Sequence, residues 1–138
     1  MIKYVVSACL AGCNCRYDGS NTVDEEIQAL IKEGKALPVC PEQLGGFATP
    51  RIPFELVGDR AYRKDGVDIT ERMEDGVIEA EKLVKLAGCT HAILQPRSPS
   101  CGFGSIYDGS FTGDQIEGHG LFAQRLIDMG LTVSSAKQ

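Results

Sequence analysis

The chain has 138 residues, of which 43% are hydrophobic and 24% are charged, and its formal net charge is -5. A chain of this length buries a sizeable core, so we predict one domain over residues 1–138. The acidic balance argues against nonspecific binding to nucleic acid, which requires a basic surface. No apolar run approaches the roughly 20 residues of a membrane span, and no signal-peptide pattern opens the chain. We therefore expect a cytoplasmic protein with no membrane partner.

Strand and helix patterns alternate through the first part of the chain. The segment IKYVVSAC predicts a strand covered on both faces, TVDEEIQALIKEG an amphipathic helix, and KALPVC a second strand. PEQLGGFATPRIPFELVG is rich in Pro and Gly, so it predicts a long ordered loop. DRAYRKDGVDIT predicts a hairpin that turns at Asp65 and Gly66, and DITERMEDGVIEAEKLVKLAG predicts the strongest helix.

The alternation continues to the end of the chain. THAILQ predicts a third strand, IEGHGLFAQRLIDMG a last helix and LTVSS a last strand. This order predicts an α/β fold, with a mostly parallel sheet and helices packed on both of its faces. The loops at the carboxyl ends of such strands share one edge of the sheet, where ligands bind.

Three of the six cysteines follow predicted strands, and these are Cys9, Cys40 and Cys101. The predicted sheet would bring them to one edge, although they are far apart in sequence. In a reducing compartment, metal binding or catalysis explains such cysteines better than structural disulfides do. Cys89, in LAGCTHAI, reads instead as a small apolar residue, and we expect a buried, inert thiol there.

Three thiolates without a fourth ligand indicate a metal or cluster with one open position. A structural zinc site normally has four ligands, often in C-x-x-C spacing, which this chain lacks. His91 and His119 are each isolated in the sequence, so we do not expect them to be ligands. A 4Fe–4S cluster on three cysteines would leave one iron open as a Lewis acid. On the residues alone, an iron–sulfur cluster is favoured only slightly over zinc.

Several neighbours of these cysteines could serve a reaction. Glu42 follows Cys40 closely, and Ser98 and Ser100 precede Cys101; a carboxylate and a hydroxyl beside a metal site can act in acid–base catalysis and positioning. A surface acid and turn-forming serines are the alternative interpretation. Arg16 could bind an anion and Tyr17 could stack on a flat base, although both also fit a surface turn.

Two other functions are compatible with the cysteine pattern. One is a small metal- or cluster-binding module, serving as a redox sensor or partner domain without catalysis. The other is a dithiol oxidoreductase that uses Cys13 and Cys15, although a Cys-x-Cys pair lacks the helix-start context of a redox motif.

Four groups of motifs resemble the thiouracil desulfidase family, in the right order and nearly end to end. They are VSACLAG with CRYDG, VCPEQLGGFATPR, RSPSCG, and YDGSFTG with IEGHG. The resemblance implies a Rossmann-like α/β domain with a 4Fe–4S cluster held by three cysteines, one iron remaining open. It also implies an enzyme that removes sulfur from thiolated pyrimidines, as thiouracil or thiouridine nucleotides, without net redox chemistry and with release of sulfide.

The resemblance also assigns roles to individual residues. It implies Cys9, Cys40 and Cys101 as the cluster ligands, Glu42 as the catalytic acid and Ser98 as the assisting hydroxyl. The family pattern does not require cysteine at positions 13 and 15, which weakens their case as ligands. The chain departs from the pattern at Gln95, where a lysine is expected, so a lysine contact to substrate would be lost here.

Overall fold

The computed structural model describes residues 1–137 and contains eight strands and four α-helices within them. In chain order the strands are β1 (Tyr4–Ser7), β2 (Ala36–Val39), β3 (Phe54–Val57), β4 (Arg60–Arg63), β5 (His91–Leu94), β6 (Ser105–Tyr107), β7 (Gln115–Glu117) and β8 (Thr132–Ser135). The helices are α1 (Glu25–Lys32), α2 (Pro41–Leu44), α3 (Thr70–Ala87) and α4 (Leu121–Asp128), and a 3-10 turn covers Ala8–Ala11. None of the helices in residues 1–137 has both the length and the apolar character needed to cross a membrane.

The central sheet is wholly parallel, with the strand order β2-β1-β5-β8. β3 pairs with β4, and β6 pairs with β7, as two separate antiparallel hairpins. The parallel sheet and its intervening helices confirm the predicted α/β fold. Because the four strands run in the same direction, the loops after β1, β2 and β5 emerge at one edge.

Both faces of the sheet are covered by helices, as predicted. Val5 and Val6 are consecutive in β1 and point to opposite faces, yet both are fully buried. Val5 belongs to a core with apolar residues of α3 and α4, whereas Val6 belongs to a second core with Ile27 of α1. A strand buried on both faces explains why its sequence is apolar without alternation.

Two local predictions were wrong, and a third was confirmed. The Pro- and Gly-rich segment after β2 is not a continuous loop, because it contains helix α2 and strand β3. The predicted hairpin with its turn at Asp65 and Gly66 is present, since Tyr62 forms an antiparallel bridge with Asp68 and the Arg63 N–H donates to the Val67 carbonyl. A further hairpin, β3–β4, precedes it and turns at Gly58 and Asp59. The segment predicted as one last helix begins with strand β7 before α4 starts at Leu121. Strands β3 and β7 were missed because each pairs with a strand outside the segment in which the pattern was interpreted, β4 and β6 respectively.

Candidate functional site

A cavity of about 310 Å³ lies at the carboxyl edge of the central sheet, between the strand-end loops and the two hairpins. All eight site residues predicted from the sequence line it, namely Cys9, Arg16, Tyr17, Cys40, Glu42, Ser98, Ser100 and Cys101. Cys15 also lines the cavity, whereas Cys13 is exposed and Cys89 is buried in the core beneath the sheet. The fold therefore gathers four thiols at one site.

Each of the predicted cysteines is placed by the element that follows its strand. Cys9 lies in the 3-10 turn after β1, and the turn ends at Gly12, whose φ of 105° favours glycine. Cys40 follows β2 and is the residue that begins α2, with Pro41 in the first helical position. Cys101 lies in the loop after β5, and its thiol is buried.

The thiol of Cys15 contacts two of the predicted cysteines. It is hydrogen-bonded to the thiols of Cys9 and Cys40, and these bonds raise the pKa of Cys15 well above its ordinary value. The same hydrogen bond lowers the pKa of Cys9 to about 7, against the opposing effect of burial. The hydrogen bond from Cys15 likewise lowers the pKa of Cys40. Cys15 thus holds a proton that favours the thiolate form of its two neighbours.

Cys101 has a different environment from Cys9 and Cys40. Burial raises the pKa of the Cys101 thiol, with a smaller lowering from a hydrogen bond to Ser7. Its loop packs on the start of α4, where the backbone N–H groups of Phe122 and Ala123 donate to the Ser100 carbonyl. At Gly120 a Cβ atom would lie 2.5 Å from the Ser100 carbonyl oxygen, so only glycine permits this approach.

Glu42 is a buried carboxylate in α2, and its position depends on close packing between two helices. A Cβ atom at Gly76 of α3 would lie 1.9 Å from the Pro41 carbonyl oxygen, so α2 can rest directly on α3. Arg51 contacts Glu42 Oε1 through both Nε and Nη2, each at 3.0 Å. The Arg51 side chain is only 7% exposed, so this is a buried ion pair.

Arg51 also ties Glu42 to the thiol-bearing loop. Its Nη2 donates to the Cys15 carbonyl at 2.9 Å, and its backbone N–H donates to the Tyr17 carbonyl at 2.7 Å. Its Nη1 donates to Thr49 Oγ1 at 3.0 Å. One guanidinium group therefore fixes the carboxylate and the CRYDG loop relative to each other.

Two serine hydroxyls lead from the cavity wall to Glu42. Ser100 Oγ donates to Glu42 Oε2 at 2.9 Å, and Ser98 Oγ lies 3.0 Å from Ser100 Oγ. Ser98 Oγ accepts from the backbone N–H groups of Ser100 and Cys101, so its own proton is available to Ser100. Ser98 Oγ, Ser100 Oγ and Glu42 Oε2 form a hydrogen-bonded chain in which Ser100, rather than Ser98, contacts the carboxylate.

The remaining predicted contacts lie in the cavity wall. Arg16 Cζ is 6.0 Å from the centre of the Tyr17 ring, and Tyr17 is 42% exposed. Lys64 and Arg97 also line the cavity, which gives this acidic protein a local group of basic side chains. Such a group suits an anionic part of a ligand.

Gln95, at the departure from the family pattern, is buried beside Cys9. Its Oε1 accepts from Thr22 Oγ1 at 2.5 Å and from Cys9 Sγ at 3.6 Å, and its backbone N–H donates to Ser7 Oγ. The neutral amide therefore contacts a thiol of the site. A charged lysine ammonium at this buried position would require a different set of partners.

The donor set fits an iron–sulfur cluster, because four thiols face one cavity and two have a lowered pKa. His91 and His119 do not line the cavity; His119 instead accepts from the Gly104 N–H and stacks on Phe103. Within residues 1–137, no group of three or more His, Cys, Asp or Glu side chains could hold a single metal ion. Together with Glu42 and the serines, the thiols could combine a soft metal group with proton transfer.

The sequence prediction missed two residues of the site. Cys15 was given a weak case as a ligand, although it stands in the same loop as Cys9 and next to the predicted Arg16. Arg51 ends the FATPR segment, which carried no chemical signal of its own. A buried acid two residues after a cysteine requires a cation nearby, and that need was the only available clue to Arg51.

Comparisons with known proteins agree over almost the whole chain. The family described as 2-thiouracil desulfurase matches residues 4–138. YbbK of Bacillus subtilis (strain 168), described as uncharacterized, is 39% identical over 144 positions that cover 97% of this chain and 95% of YbbK. The solved structure of the [4Fe-4S]-dependent thiouracil desulfidase TudS is 40% identical, with a TM-score of 0.92, and the match covers 98% of this chain and 91% of that one. The chain belongs to the 2-thiouracil desulfurase family.

Proposed function

We propose that this protein replaces the sulfur of a thiolated pyrimidine by oxygen from water, using a 4Fe–4S cluster. The observation that carries this proposal is the chain from Ser98 through Ser100 to the Glu42 carboxylate, which lies in the same cavity as four thiols. The reaction consumes the thiocarbonyl and one water and gives the carbonyl and hydrogen sulfide. No electron is gained or lost, so the proton-transfer groups must carry out the steps at the ring carbon.

Cys9, Cys40 and Cys101 are the proposed cluster ligands, as the family resemblance implies. They come from three different strand ends, whereas Cys15 is hydrogen-bonded to both Cys9 and Cys40. A thiol that keeps its proton to donate to other thiols is not in the thiolate form that binds iron. We therefore propose that Cys15 is a hydrogen-bonding neighbour of Cys9 and Cys40 and is not a cluster ligand itself. When bound, the cluster would supply an open iron that acts as a soft Lewis acid toward the substrate sulfur.

Glu42 is the proposed proton-transfer group. Its Oε1 is held by Arg51, so its orientation is fixed, while Oε2 accepts from Ser100 Oγ. Through this oxygen it can take a proton from the attacking water or return one to the ring nitrogen. Ser100 and Ser98 provide the relay, and Ser98 is placed by two backbone N–H groups. Ser100 is therefore proposed as a second hydroxyl of the relay, in addition to the Ser98 hydroxyl that the family resemblance implies.

The proposed substrate is free thiouracil or a thiouridine nucleotide. Tyr17 offers an exposed ring face for the base, and Arg16 and Lys64 offer cationic groups for a phosphate at the same cavity. A phosphate on the substrate would therefore be matched by charge. We also propose a cytoplasmic location, because a site that depends on reduced thiols persists in a reducing compartment.

The experiment that tests this function follows conversion of 2-thiouracil and 4-thiouridine monophosphate by anaerobically reconstituted protein. We expect the loaded protein to form uracil or uridine monophosphate with an equal amount of sulfide, and the cluster-free protein to be inactive. A fully loaded protein that converts neither compound would contradict the proposal and favour a cluster-binding module without catalysis. Turnover by the cluster-free protein would also contradict it.

A further inference from the structure

We propose that Phe111 forms an aromatic wall that stacks on the pyrimidine ring of the substrate, and that Glu55 holds it there. This inference rests on the proposed function and adds a substrate-positioning device to it. Phe111 lies in the loop between β6 and β7, outside the thiol-bearing edge of the central sheet, and lines the cavity. Glu55 is in β3 and lines the same cavity.

The backbone at Phe111 has a conformation that phenylalanine rarely adopts. Its φ is 59°, in the left-handed region where a side chain with a Cβ atom is disfavoured. Such a residue persists only where the surroundings impose the conformation, and these residues concentrate at functional sites. Phe111 is half-buried and lines the cavity, so this backbone conformation places an aromatic residue beside the ligand space.

The surroundings that impose this conformation centre on Glu55. Its Oε1 accepts from the backbone N–H of Gly109 at 3.0 Å and from that of Phe111 at 3.1 Å. Glu55 is only 8% exposed, and a buried carboxylate that accepts two N–H groups is a strong anchor. Glu55 therefore ties the turn of the second hairpin to a strand of the first.

The close approach at Gly109 supports the same docking. Gly109 has a φ of 92°, and a Cβ atom there would lie 2.5 Å from Val57 Cγ2 and 2.8 Å from the Leu56 carbonyl oxygen. Only glycine lets the loop come this close to β3. The turn is also closed internally, because Ser110 Oγ donates to Asp108 Oδ1 and the Asp108 N–H donates to the Asp114 carbonyl. The loop is thus a fixed part of the cavity wall.

An aromatic wall suits the substrate because a pyrimidine is flat and offers a π face. Base–aromatic stacking contributes roughly 5- to 150-fold in affinity, and it depends little on the ring substituents. It would hold the ring plane without occupying the exocyclic sulfur, which must face the thiol-bearing side. Phe111 would then orient the ring and leave the proton transfers to Glu42 and Ser100.

The first test measures the kinetics of the reconstituted enzyme with 2-thiouracil. Phe111→Leu should raise KM by roughly 5- to 150-fold with a much smaller change in kcat, because ring binding is weakened while Glu42 is untouched. Phe103→Leu is the matched control, since Phe103 is also half-buried but stacks on His119 outside the cavity lining. An unchanged KM for Phe111→Leu would overturn the inference.

The second test asks whether Glu55 acts through Phe111. Glu55→Ala should raise KM as Phe111→Leu does, and Glu55→Gln should raise it less, because an amide oxygen can still accept from both N–H groups. Combining Glu55→Ala with Phe111→Leu should add little to either single change. Fully additive effects on KM would show that Glu55 contacts the substrate independently and would overturn its positioning role.

The third test detects stacking directly by fluorescence. The chain has no tryptophan, so Phe111→Trp introduces a single reporter in the cavity wall. A base that stacks on a tryptophan ring quenches its emission at contact, so 2-thiouracil should quench Phe111→Trp saturably and leave Phe103→Trp nearly unaffected. Absence of quenching at concentrations that saturate turnover would overturn the stacking. An unmodified enzyme that converts no thiolated pyrimidine would overturn the proposed function instead, which separates the two failures.

Discussion

Two buried glutamates line the same cavity, and their partners differ in kind. Glu42 is bound by the side chains of Arg51 and Ser100, whereas Glu55 is bound by the backbone N–H groups of Gly109 and Phe111. A hydroxyl partner can pass a proton on, because it is both donor and acceptor; a backbone amide only donates. We therefore propose that the same residue type serves proton transfer in one region and holds a loop in the other.

The difference extends to the regions around the two glutamates. The Glu42 region combines strand ends of the central sheet and carries four thiols, a buried ion pair and a hydroxyl chain. The Glu55 region consists of two hairpins and offers aromatic rings and a strained turn. We infer that chemistry is concentrated on the sheet edge, and that the hairpins add Phe111 to the recognition of the base that Tyr17 provides from the sheet edge. If so, substitutions in one region should leave the function of the other region intact.

The largest expected effect is complete loss of the cluster. Cys9→Ala, Cys40→Ala or Cys101→Ala should each abolish cluster iron after anaerobic reconstitution, because two thiolates alone do not hold a cube of four irons. Cys89→Ala, which changes a core thiol outside the cavity, should retain it. Cys15→Ala should also retain the iron, because Cys15 is proposed to be hydrogen-bonded to two ligands rather than to bind iron itself. Iron and sulfide analysis decides between these outcomes, and a fully loaded Cys40→Ala protein would contradict the ligand assignment.

The second-largest expected effect is a loss of kcat, and its size should distinguish the two glutamates. Glu42→Gln should keep the cluster and lower kcat by roughly 10²–10⁴-fold, the usual share of general acid–base catalysis. Ser98→Ala and Ser100→Ala should each lower kcat by a smaller factor, because a water can partly replace a hydroxyl. Glu55→Gln should lower kcat far less than Glu42→Gln does. Equal losses of kcat in the two glutamine variants would remove the distinction between the regions.

The third effect is a loss of stability when the ion pair between Arg51 and Glu42 is broken. Arg51→Met leaves the buried Glu42 carboxylate without its cation, so the free energy of unfolding should fall by roughly 3–5 kcal/mol. Denaturant unfolding of the cluster-free protein measures this loss. Arg63→Met is the matched control, since its ion pair with Asp65 is exposed and should contribute little. If both variants lost the same stability, the buried pair would have no special role.

The smallest effect concerns the pH at which Cys9 reacts. With a pKa of about 7, Cys9 in the cluster-free chain should become a reactive thiolate as the pH rises through neutrality. Cys101, whose pKa is raised by burial, should stay protonated and unreactive there. Cys15→Ala removes the hydrogen bond that lowers the Cys9 pKa, so alkylation of Cys9 should shift to higher pH. Alkylation mapped by mass spectrometry tests this, and an unshifted profile would contradict the contact.

The sheet edge could be predicted from the sequence, and the reason is geometric. Parallel strands place their carboxyl ends together, so cysteines that end strands must meet whatever their separation in sequence. The contact between Ser100 and Glu42 could not be predicted, because Ser98 and Ser100 occupy the same loop and only their side-chain directions differ. The same holds for Cys13 and Cys15, of which one is exposed and the other buried.

Less of the hairpin region could be predicted from the sequence. Strand β3 was missed because its segment is rich in Pro and Gly, whereas the turn at Asp65 and Gly66 was predicted correctly. The anchoring of Phe111 by Glu55 joins residues separated by 56 positions through backbone amides, which carry no sequence signal. A recognition surface that is built from such long-range backbone contacts can be identified only from the folded structure.

The measurement that tests the central claim most directly is the origin of the oxygen in the product. The loaded, unmodified protein would be incubated anaerobically with 2-thiouracil in heavy-oxygen water, without added reductant or oxidant, and the products analysed by mass spectrometry. We predict uracil that carries one heavy oxygen atom at the former sulfur position, together with one sulfide per uracil. Uracil without the label, or turnover that requires a reductant or oxidant, would contradict a hydrolytic, non-redox desulfuration at this site.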